Sequence, residues 1–306
     1  MNIKIHFALL LLVSPTLLYG QIPDGKEVVS NLEIYNIETG QHRIIYSDTG
    51  RFEAPNWSPD NHLIFNQQGL LYSIPIEGGT PEKIETGFAD RCNNDHGLSA
   101  DGKMLAISHN EHSSGNSIIY TLPAEGSIEP VQITPLGPSY WHGWSPDSKY
   151  LAYCAERNGN YDVYSISSKG GKEKRLTTAN GLDDGPDYSF DGKYIYFNSV
   201  RTGTMQIWRM KTNGKNQTQL TFDELNSWFP HPSPNNKKIV FISYISKVNP
   251  GDHPAYKDVV LRMMDIETGK VEELVRLFGG QGTINVPSWS PDSKEFAYVS
   301  YTLIDK

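Results

Sequence analysis

The amino-acid sequence predicts an all-β protein: a six-bladed β-propeller of four-stranded blades, whose ring is closed by N-terminal strands that complete the C-terminal blade. Three observations lead to this prediction. A turn motif recurs six times, short apolar runs follow each copy, and the two ends of the chain carry complementary parts of one repeat. A repeat of about 40 to 50 residues that holds several strands is typical of a propeller blade.

The turn motif is clearest at Trp144-Ser145-Pro146-Asp147. The serines of successive copies are separated by 41, 46, 44, 44 and 57 residues. Proline fixes φ at the second position of a type I turn, and Asp, Asn, Gly and Ser suit the other positions. The motif therefore indicates a tight turn between two strands. Its other copies are residues 57–60, 98–101, 188–191, 232–235 and 289–292.

Short apolar and aromatic runs follow every turn. They are rich in β-branched and aromatic residues and bounded by polar ones, which is typical of strands. A third run and a shorter fourth run follow in most repeats, so each repeat predicts the four strands of one blade. The runs that directly follow the turns are residues 62–65, 104–107, 150–153, 194–197, 239–242 and 296–299.

The ends of the chain together predict one shared blade. Residues 36–41 nearly repeat residues 265–270, which lie between the third and fourth strands of the fifth repeat. The N-terminal segment at residues 30–47 thus supplies outer strands only, whereas the chain after Asn285 supplies inner strands only. Joining them closes the ring and removes the free sheet edges.

Residues 1–20 have the pattern of a cleaved signal peptide, with Lys4 before the apolar run Phe7 to Val13. We therefore expect one propeller domain at residues 21–306, in the periplasm or secreted. No cysteine lies near the cleavage point, so we expect no lipid anchor there. No other apolar run approaches the ~18 residues of a membrane span. The formal net charge of −8 argues against nucleic acid as a partner.

Two cysteines, Cys92 and Cys154, occur in a chain expected to meet an oxidising compartment. Both are predicted toward the same face of adjacent blades. A disulfide between them and two unpaired thiols, with Cys154 buried, are both consistent with the sequence.

The repeated Trp-Ser-Pro-Asp-x-Lys pattern, as at residues 144–149, resembles the TolB-like family of six-bladed propellers. The resemblance covers nearly the whole mature chain. It implies a periplasmic module that binds a protein partner or a glycan. TolB proteins carry a separate α/β domain before the propeller, whereas only about ten residues separate the predicted signal peptide from the first strand here. Similar single-domain propellers are linked to polysaccharide breakdown, and the oligogalacturonate lyases are propellers with a metal over the channel.

The order of strands assigns the two faces of the propeller. All Ser-Pro-Asp turns lie on one face, which we call the turn face. The segments that enter first strands and leave second strands lie on the other face, which we call the mouth. Three residues before the motif serine, four repeats have proline, but the second and third have His96 and His142. We predict that these histidines lie over the channel with other polar and aromatic side chains.

The predicted catalytic residues are His96, His142 and Asp184. Residues predicted to bind a ligand around them are Asp95, Trp141, Glu156, Arg157, Asp187, Arg201, Trp228, His231 and Asn285. Tryptophan beside carboxylates, amides and histidine is the composition of a carbohydrate site, in which flat apolar walls combine with a few placed polar groups.

Each candidate also has a structural interpretation. Neutral imidazole serves as a base or as a ligand of Mn²⁺ or Zn²⁺, which makes His96 and His142 candidate metal ligands. The alternative is that they hydrogen-bond neighbouring strand backbones at the channel wall. The absence of an H-x-H or H-E-x-x-H spacing argues against a metal site. Asp184 precedes a glycine and would also suit an ordinary turn. His231 would face away from His96 and His142 if successive strand residues alternate.

The aromatic and arginine candidates are equally open. Trp141 and Trp228 would serve either as sugar platforms or as packing between blades. Glu156, Arg157 and Arg201 would form rim ion pairs or capture a substrate carboxylate or sulfate. An insertion at residues 247–257 lengthens the fifth repeat, and loops of this length are often functional.

Two functions follow. The first is an exported propeller that binds, and as a lyase or hydrolase cleaves, an oligosaccharide at the mouth. The second is a non-catalytic binding module for a protein partner or a glycan. The polar mouth favours a small polar ligand, since protein interfaces are depleted of charge at their centre.

Overall fold

Five blades are complete four-stranded antiparallel sheets, and each uses four strands that are consecutive in the chain. The structure, a computed structural model, describes residues 22–306, so the predicted signal peptide at residues 1–20 lies outside the described residues. Two strands that open the chain belong to the sixth blade: β1 (Lys26–Asn36) and β2 (His42–Thr49).

Blades 1 to 3 follow in chain order. Blade 1 is formed by β3 (Phe52–Trp57), β4 (His62–Gln67), β5 (Leu70–Pro75) and β6 (Glu82–Ile84). Blade 2 is formed by β7 (Cys92–Leu98), β8 (Met104–Asn110), β9 (Ser117–Pro123) and β10 (Val131–Gln132). Blade 3 is formed by β11 (Ser139–Trp144), β12 (Tyr150–Arg157), β13 (Asn160–Ser167) and β14 (Lys174–Arg175).

Blades 4 and 5 repeat the arrangement. Blade 4 is formed by β15 (Asp183–Tyr188), β16 (Tyr194–Ser199), β17 (Gln206–Lys211) and β18 (Thr218–Gln219). Blade 5 is formed by β19 (Asn226–Pro232), β20 (Lys238–Tyr244), β21 (Lys257–Asp265) and β22 (Val271–Gly279). The predicted six-bladed propeller is therefore confirmed.

The sixth blade joins the two ends of the chain, as predicted. Its C-terminal strand β23 (Glu295–Asp305) pairs antiparallel with all 11 residues of β1, and β2 lies outside β1. The innermost segment is irregular and is held to β23 by single hydrogen bonds. The Val299 amide donates to the Thr283 carbonyl, and the Ala297 amide donates to the Ser288 carbonyl, both across 2.9 Å.

Ring closure buries both apolar and polar groups of β1. Leu32 and Ile34 are fully buried, which stabilises the fold by roughly 1.5–3 kcal/mol for each side chain. Between them, the buried Glu33 carboxylate accepts a hydrogen bond from the Tyr298 hydroxyl at 2.8 Å and lies 2.8 Å from His42 Nδ1. Because its main partners come from both ends of the chain, Glu33 also favours the correct register of closure.

The Ser-Pro-Asp turns owe their shape to the motif serine. In blade 3, Ser145 Oγ donates to Asp147 Oδ1 at 2.7 Å and accepts from the Tyr150 amide at 2.9 Å. The residue after the aspartate, Ser148, has a left-handed φ of 57°. Gly, Asn or Ser occupies this position in all six turns, since short polar residues and glycine tolerate positive φ best. The equivalent residues are Asn61, Gly102, Gly192, Asn236 and Ser293.

Each innermost strand of blades 1 to 5 changes register near the mouth. The shifts fall between Glu53 and Asn56, Cys92 and His96, Trp141 and Gly143, Asp184 and Asp187, and Trp228 and His231. A bulge leaves residues unpaired and re-aims their side chains. The simple alternation of strand residues therefore breaks down where the candidate site residues lie.

Cys92 and Cys154 are both free and buried, so the structure holds the unpaired alternative. The Cys92 thiol donates to the Ala89 carbonyl at 3.3 Å, and the Cys154 thiol donates to the Asp183 carbonyl at 3.4 Å. Burial raises the pKa of the Cys92 thiol to about 12. Both groups are thus unreactive at neutral pH.

Removal of residues 22–49 should destabilise the propeller strongly. This truncation strips β1 and β2 from β23 and leaves an unpaired strand edge beside an exposed core, which promotes aggregation. A chain that begins at Lys26 keeps β1 and serves as the control. Thermal unfolding and light scattering would measure the effect, and equal unfolding temperatures for the two truncations would contradict the closure argument.

Candidate functional site

A buried acid–base pair lies where blades 3 and 4 meet at the mouth. His142 Nε2 is 3.0 Å from Asp184 Oδ1. Both side chains are almost completely buried. The imidazole stacks on Phe229 of blade 5, with ring centroids 5.8 Å apart. The structure thus brings together two of the three predicted catalytic residues.

Local backbone geometry explains why these side chains meet. His142 lies in the bulge of β11, and Asp184 stands at the start of the bulge of β15. The next residue, Gly185, has φ 60°, and a Cβ at this position would lie 2.5 Å from Asn198 Oδ1. The Gly185 amide donates to Asp184 Oδ1 at 2.7 Å. Only glycine fits this positive φ and this close approach to Asn198. The hydrogen bond from its amide holds the Asp184 carboxylate toward blade 3.

The pair is strongly polarised. Burial by itself would lower the pKa of His142, but the adjacent Asp184 carboxylate outweighs this effect and raises it. Burial likewise opposes the charge on Asp184, yet His142 lowers the pKa of this carboxyl to about 2. Each group thus favours the charged form of the other, an imidazolium beside a carboxylate.

Asp95 of blade 2 is shifted in the opposite direction. Burial raises its pKa to about 7, and the Asp184 and Glu53 carboxylates add to this rise, while His142 opposes it. Its own backbone amide donates to Asn93 Oδ1 at 2.9 Å. Two carboxyl groups that influence each other thus differ widely in pKa, which is the pattern of an acid and a base in one site.

His253 completes the cluster from the insertion in blade 5. Its ring lies edge-on to Trp228 and Phe229, with centroids 4.4 and 5.5 Å apart. Burial lowers the pKa of His253, against the opposing influence of Asp184. The insertion at residues 247–257 therefore places a neutral imidazole beside the His142–Asp184 pair.

His96 plays a different part from His142. It is fully buried, and its Nε2 lies 3.3 Å from the carbonyl oxygen of Ile64 in blade 1. Burial lowers the pKa of His96 to about 4, so the ring is neutral. This arrangement matches the alternative in which the histidine hydrogen-bonds a neighbouring strand in the channel wall.

His231 and Asp187 form a second buried pair inside the ring. His231 Nδ1 lies 3.0 Å from Asp187 Oδ2, and its Nε2 lies 2.9 Å from the Ile284 carbonyl oxygen. The pair ties blade 4 to blade 5 and to the irregular inner segment of blade 6. Asn285, in that segment, accepts from the Gly282 amide at 2.7 Å and so shapes the loop before β23.

The charged rim candidates are paired with protein groups. Arg157 Nη2 lies 2.6 Å from Glu173 Oε1, and Arg201 Nη2 lies 2.7 Å from Asp183 Oδ2. Glu156 Oε1 accepts from the Gly159 amide at 2.8 Å, within the turn between β12 and β13. The two arginines thus form ion pairs, which is one of the two alternatives predicted for them, whereas Glu156 is bound to a turn amide.

Comparison with known proteins identifies the family. The PD40 family, the TolB β-propeller domain, matches residues 137–249. An uncharacterised protein of Agrobacterium fabrum is 50% identical over 279 residues, which cover 90% of this chain and 94% of that protein. A solved structure from Agrobacterium tumefaciens, described provisionally as TolB, is also 50% identical, with a TM-score of 0.86 over 90% of this chain and 99% of that one.

The chain belongs to the TolB-like β-propeller family. TolB from Acinetobacter baumannii shares the fold at 20% identity, with a TM-score of 0.64 over 83% of this chain and 65% of that one. An oligogalacturonate lyase from Vibrio parahaemolyticus shares it at 13% identity, with a TM-score of 0.51 over 87% and 76%. Likeness at these identities concerns the fold alone.

Both tryptophan candidates of this TolB-like propeller are in its core. Trp141 and Trp228 are fully buried; Trp141 belongs to an apolar cluster that includes residues of blades 2 and 3, and Trp228 to one that includes residues of blades 4, 5 and 6. Their rings match the alternative of packing between blades. The aromatic side chains beside the acid–base cluster are instead Tyr140 and Tyr161. Burial raises the pKa of both hydroxyls, and the charge of Asp184 adds to this rise. Tyr161 is 37% exposed.

Sequence reasoning missed Tyr161, Glu53 and the position of His253 in the site. Tyr161 follows the turn from β12 to β13 and carries no motif. Glu53 precedes the bulge of β3, where the register shift hides its direction. The length of the insertion was the one signal that pointed toward His253.

The turn face of the TolB-like propeller holds a cavity that sequence reasoning also missed. Its volume is about 350 Å³. The sequence feature from which it could have been predicted is the repeated turn motif, whose residues line it. Residues on either side of the motif serine line it, and Trp141 and Asp187 contribute from within the ring. The tryptophans and prolines of the motif that line it are Trp57, Trp144, Trp289, Pro59, Pro146, Pro234 and Pro291.

Replacement of Asp95 by Asn should change how stability depends on pH. Since burial raises the pKa of Asp95 to about 7 from 3.8, the folded chain keeps a proton that the unfolded chain has lost between these values. Stability of the wild type should fall across this window as pH rises, by at most about 1.4 kcal/mol per pH unit from this group. Asp95→Asn removes this contribution, so its free energy of unfolding in urea should fall less.

Asp147→Asn is the matched control for this experiment. The hydrogen bond from Ser145 lowers the pKa of Asp147, so its contribution to stability is present above 3.8 and is lost only at more acidic pH. The control should therefore follow the wild type between about pH 4 and pH 7. Parallel curves for Asp95→Asn and the wild type would show that Asp95 is ionised throughout.

Proposed function

We propose that this TolB-like propeller binds an oligosaccharide at its mouth and cleaves it by acid–base chemistry, as a lyase or hydrolase. The observation that carries the proposal is the opposite shift of two neighbouring carboxyl groups. Burial raises the pKa of Asp95 to about 7, whereas His142 lowers that of Asp184 to about 2. A protonated and an ionised carboxyl in one site are the groups that glycosidic cleavage needs.

The residues have separate roles in this proposal. Asp95 holds the proton that passes to the glycosidic oxygen as the bond to the leaving sugar breaks. Asp184 holds His142 in place and stabilises its positive charge. The imidazolium then polarises an oxygen of the bound sugar, either a hydroxyl oxygen or an oxygen of the sugar's own carboxylate. Neutral His253 is the available base, since burial lowers its pKa. Acid–base groups of this kind contribute roughly 10²–10⁴-fold to rate.

Tyr140 and Tyr161 supply the aromatic surface for a sugar ring in this proposal. They take the place of Trp141 and Trp228, which are fully buried. Tyr161 is exposed enough for stacking and lies near Asp184, whose charge raises the pKa of its hydroxyl together with the larger effect of burial. An aromatic wall beside a few placed polar groups is the usual form of a small-ligand site.

A location outside the cytoplasm agrees with a polysaccharide ligand. The signal-peptide pattern at residues 1–20 supports a periplasmic or secreted protein. Within residues 22–306, no helix has the length and apolarity to cross a lipid bilayer. We propose that the mature chain acts on carbohydrate in the periplasm or beyond the cell.

A non-catalytic role with a protein partner is the second candidate. The half-identical structure described provisionally as TolB and the exposed Phe88 on the mouth favour it. Phe88 is 50% exposed, and a single large apolar side chain at a polar rim suits an anchor contact with a protein.

The test is an oligosaccharide panel, including acidic and neutral chains, with purified wild type, Asp184→Asn and His142→Ala. We expect cleavage by the wild type and a loss of at least about 100-fold in each variant. Binding should weaken by roughly 1–3 kcal/mol, because each change leaves a buried polar partner unpaired. Reducing-end assays and calorimetry measure the two effects.

The control is a triple variant on the turn face, Lys149→Ser, Lys193→Ser and Lys294→Ser, which should behave as the wild type. A loss of binding in this control would move the site to the turn face and its cavity. Binding without cleavage would leave a glycan-binding module, and no binding by any correctly folded variant or the wild type would favour the protein partner.

A further inference from the structure

A second polar cluster lies on the mouth, in blade 2. It consists of Asp90, before β7, and of His109 and His112, at and after the end of β8. One donor atom from each residue lies within 4.8 Å of the other two. His112 Nε2 is 2.7 Å from Asp90 Oδ1. Within residues 22–306, the fold brings these three potential metal ligands close together. The group includes neither His96 nor His142.

The backbone that carries the three residues is held firmly. The Asn110 amide donates to the Arg91 carbonyl at 3.0 Å, which joins the start of β7 to the end of β8. The Glu111 amide donates to the Asn116 carbonyl at 3.0 Å, and the Gly115 amide returns to the Glu111 carbonyl at 2.8 Å. His112 therefore stands on a closed loop, close to a fixed strand end.

His109 is the fixed member of the cluster. Its ring lies edge-on to Phe88 and Tyr120, with centroids 5.9 and 6.1 Å apart, and it is almost fully buried. The side chains of Asp90 and His112 are by contrast 55% and 61% exposed. One buried imidazole beside two exposed side chains leaves the cluster accessible from solvent.

We propose that Asp90, His109 and His112 bind one divalent transition-metal ion, with Zn²⁺ as the probe that fits them best. Two imidazoles and one carboxylate are a common three-ligand set for zinc, which keeps a fourth position for water or an external ligand. Tetrahedral bonds of about 2.0–2.2 Å would bring the donors to about 3.3–3.6 Å apart. Because Asp90 and His112 are exposed, rotation of their side chains is the movement by which we expect the donors to approach the ion.

An ordinary surface ion pair does not account for the whole cluster. An exposed Asp–His pair contributes little to stability and needs no third group. The chain offers such a pair on the turn face, where His62 Nδ1 lies 3.5 Å from Asp60 Oδ2. The cluster in blade 2 differs by the addition of buried His109 beside the pair. His62 is therefore a matched control.

The experiment is calorimetric titration of the chelator-treated, dialysed full-length protein with ZnCl₂. We expect one equivalent of Zn²⁺ to bind to the wild type and to His62→Asn with equal affinity. Asp90→Asn and His112→Asn should each weaken binding by at least about 10-fold, since even loss of an outer partner of a zinc ligand costs this much. Both residues are exposed, so the variants should keep the wild-type unfolding temperature without zinc.

Cobalt(II) gives an independent readout of the same site. Binding of Co²⁺ to the wild type should produce a visible absorption band typical of a Co²⁺ ion with few ligands. Added Zn²⁺ should displace the Co²⁺ and abolish the band. The band should be absent in His112→Asn and present in His62→Asn. Equal zinc affinity in all four proteins, or no binding by the wild type, would overturn the proposal.

Discussion

The antiparallel pairing of β1 with β23 is the contact on which the structure depends. It joins segments at opposite ends of the chain, and its register is reinforced by the buried Glu33 carboxylate under Tyr298. The acid–base cluster draws Asp95, His142, Asp184 and His253 from four consecutive blades. Their mutual positions follow from the ring, because an open arc of blades would not hold a fixed angle between neighbours.

The two ends of each innermost strand do different work. At the turn face, the motif serine binds both the turn aspartate and the strand that follows, which fixes the direction of the chain. At the mouth, a bulge interrupts the ladder in blades 1 to 5 and turns side chains toward the adjacent blade. The regular hydrogen bonding of the turn face thus contrasts with the bulged mouth, where the proposed site lies; bulges are common beside functional sites.

Local chemistry made the fold predictable, whereas the site was predictable only in part. The turns need residues at fixed offsets from one serine, so the sequence displays them six times. His142 stood out because it replaces proline, and its pairing with Asp184 depends on adjacent blades. His96 carried the same signal but faces a strand of blade 1. Bulges determine which way these side chains point, and no residue pattern in the strands predicts the bulges. His253 also reaches the site only through tertiary contacts, which the sequence does not show.

Charge in the cluster explains why its two carboxyl groups diverge. Burial of Asp95, Asp184 and His142 removes three ionisable groups from water, which is costly for every uncompensated charge. One imidazolium neutralises one carboxylate, and Asp184 is its direct partner at 3.0 Å. Within residues 22–306, Asp95 has no imidazolium in direct contact, and burial raises its pKa to about 7. A buried ion pair adds little net stability compared with apolar side chains of similar size. Its position at the mouth, beside Tyr161 and His253, is therefore not explained by stability, and it agrees with the proposed role in acid–base chemistry.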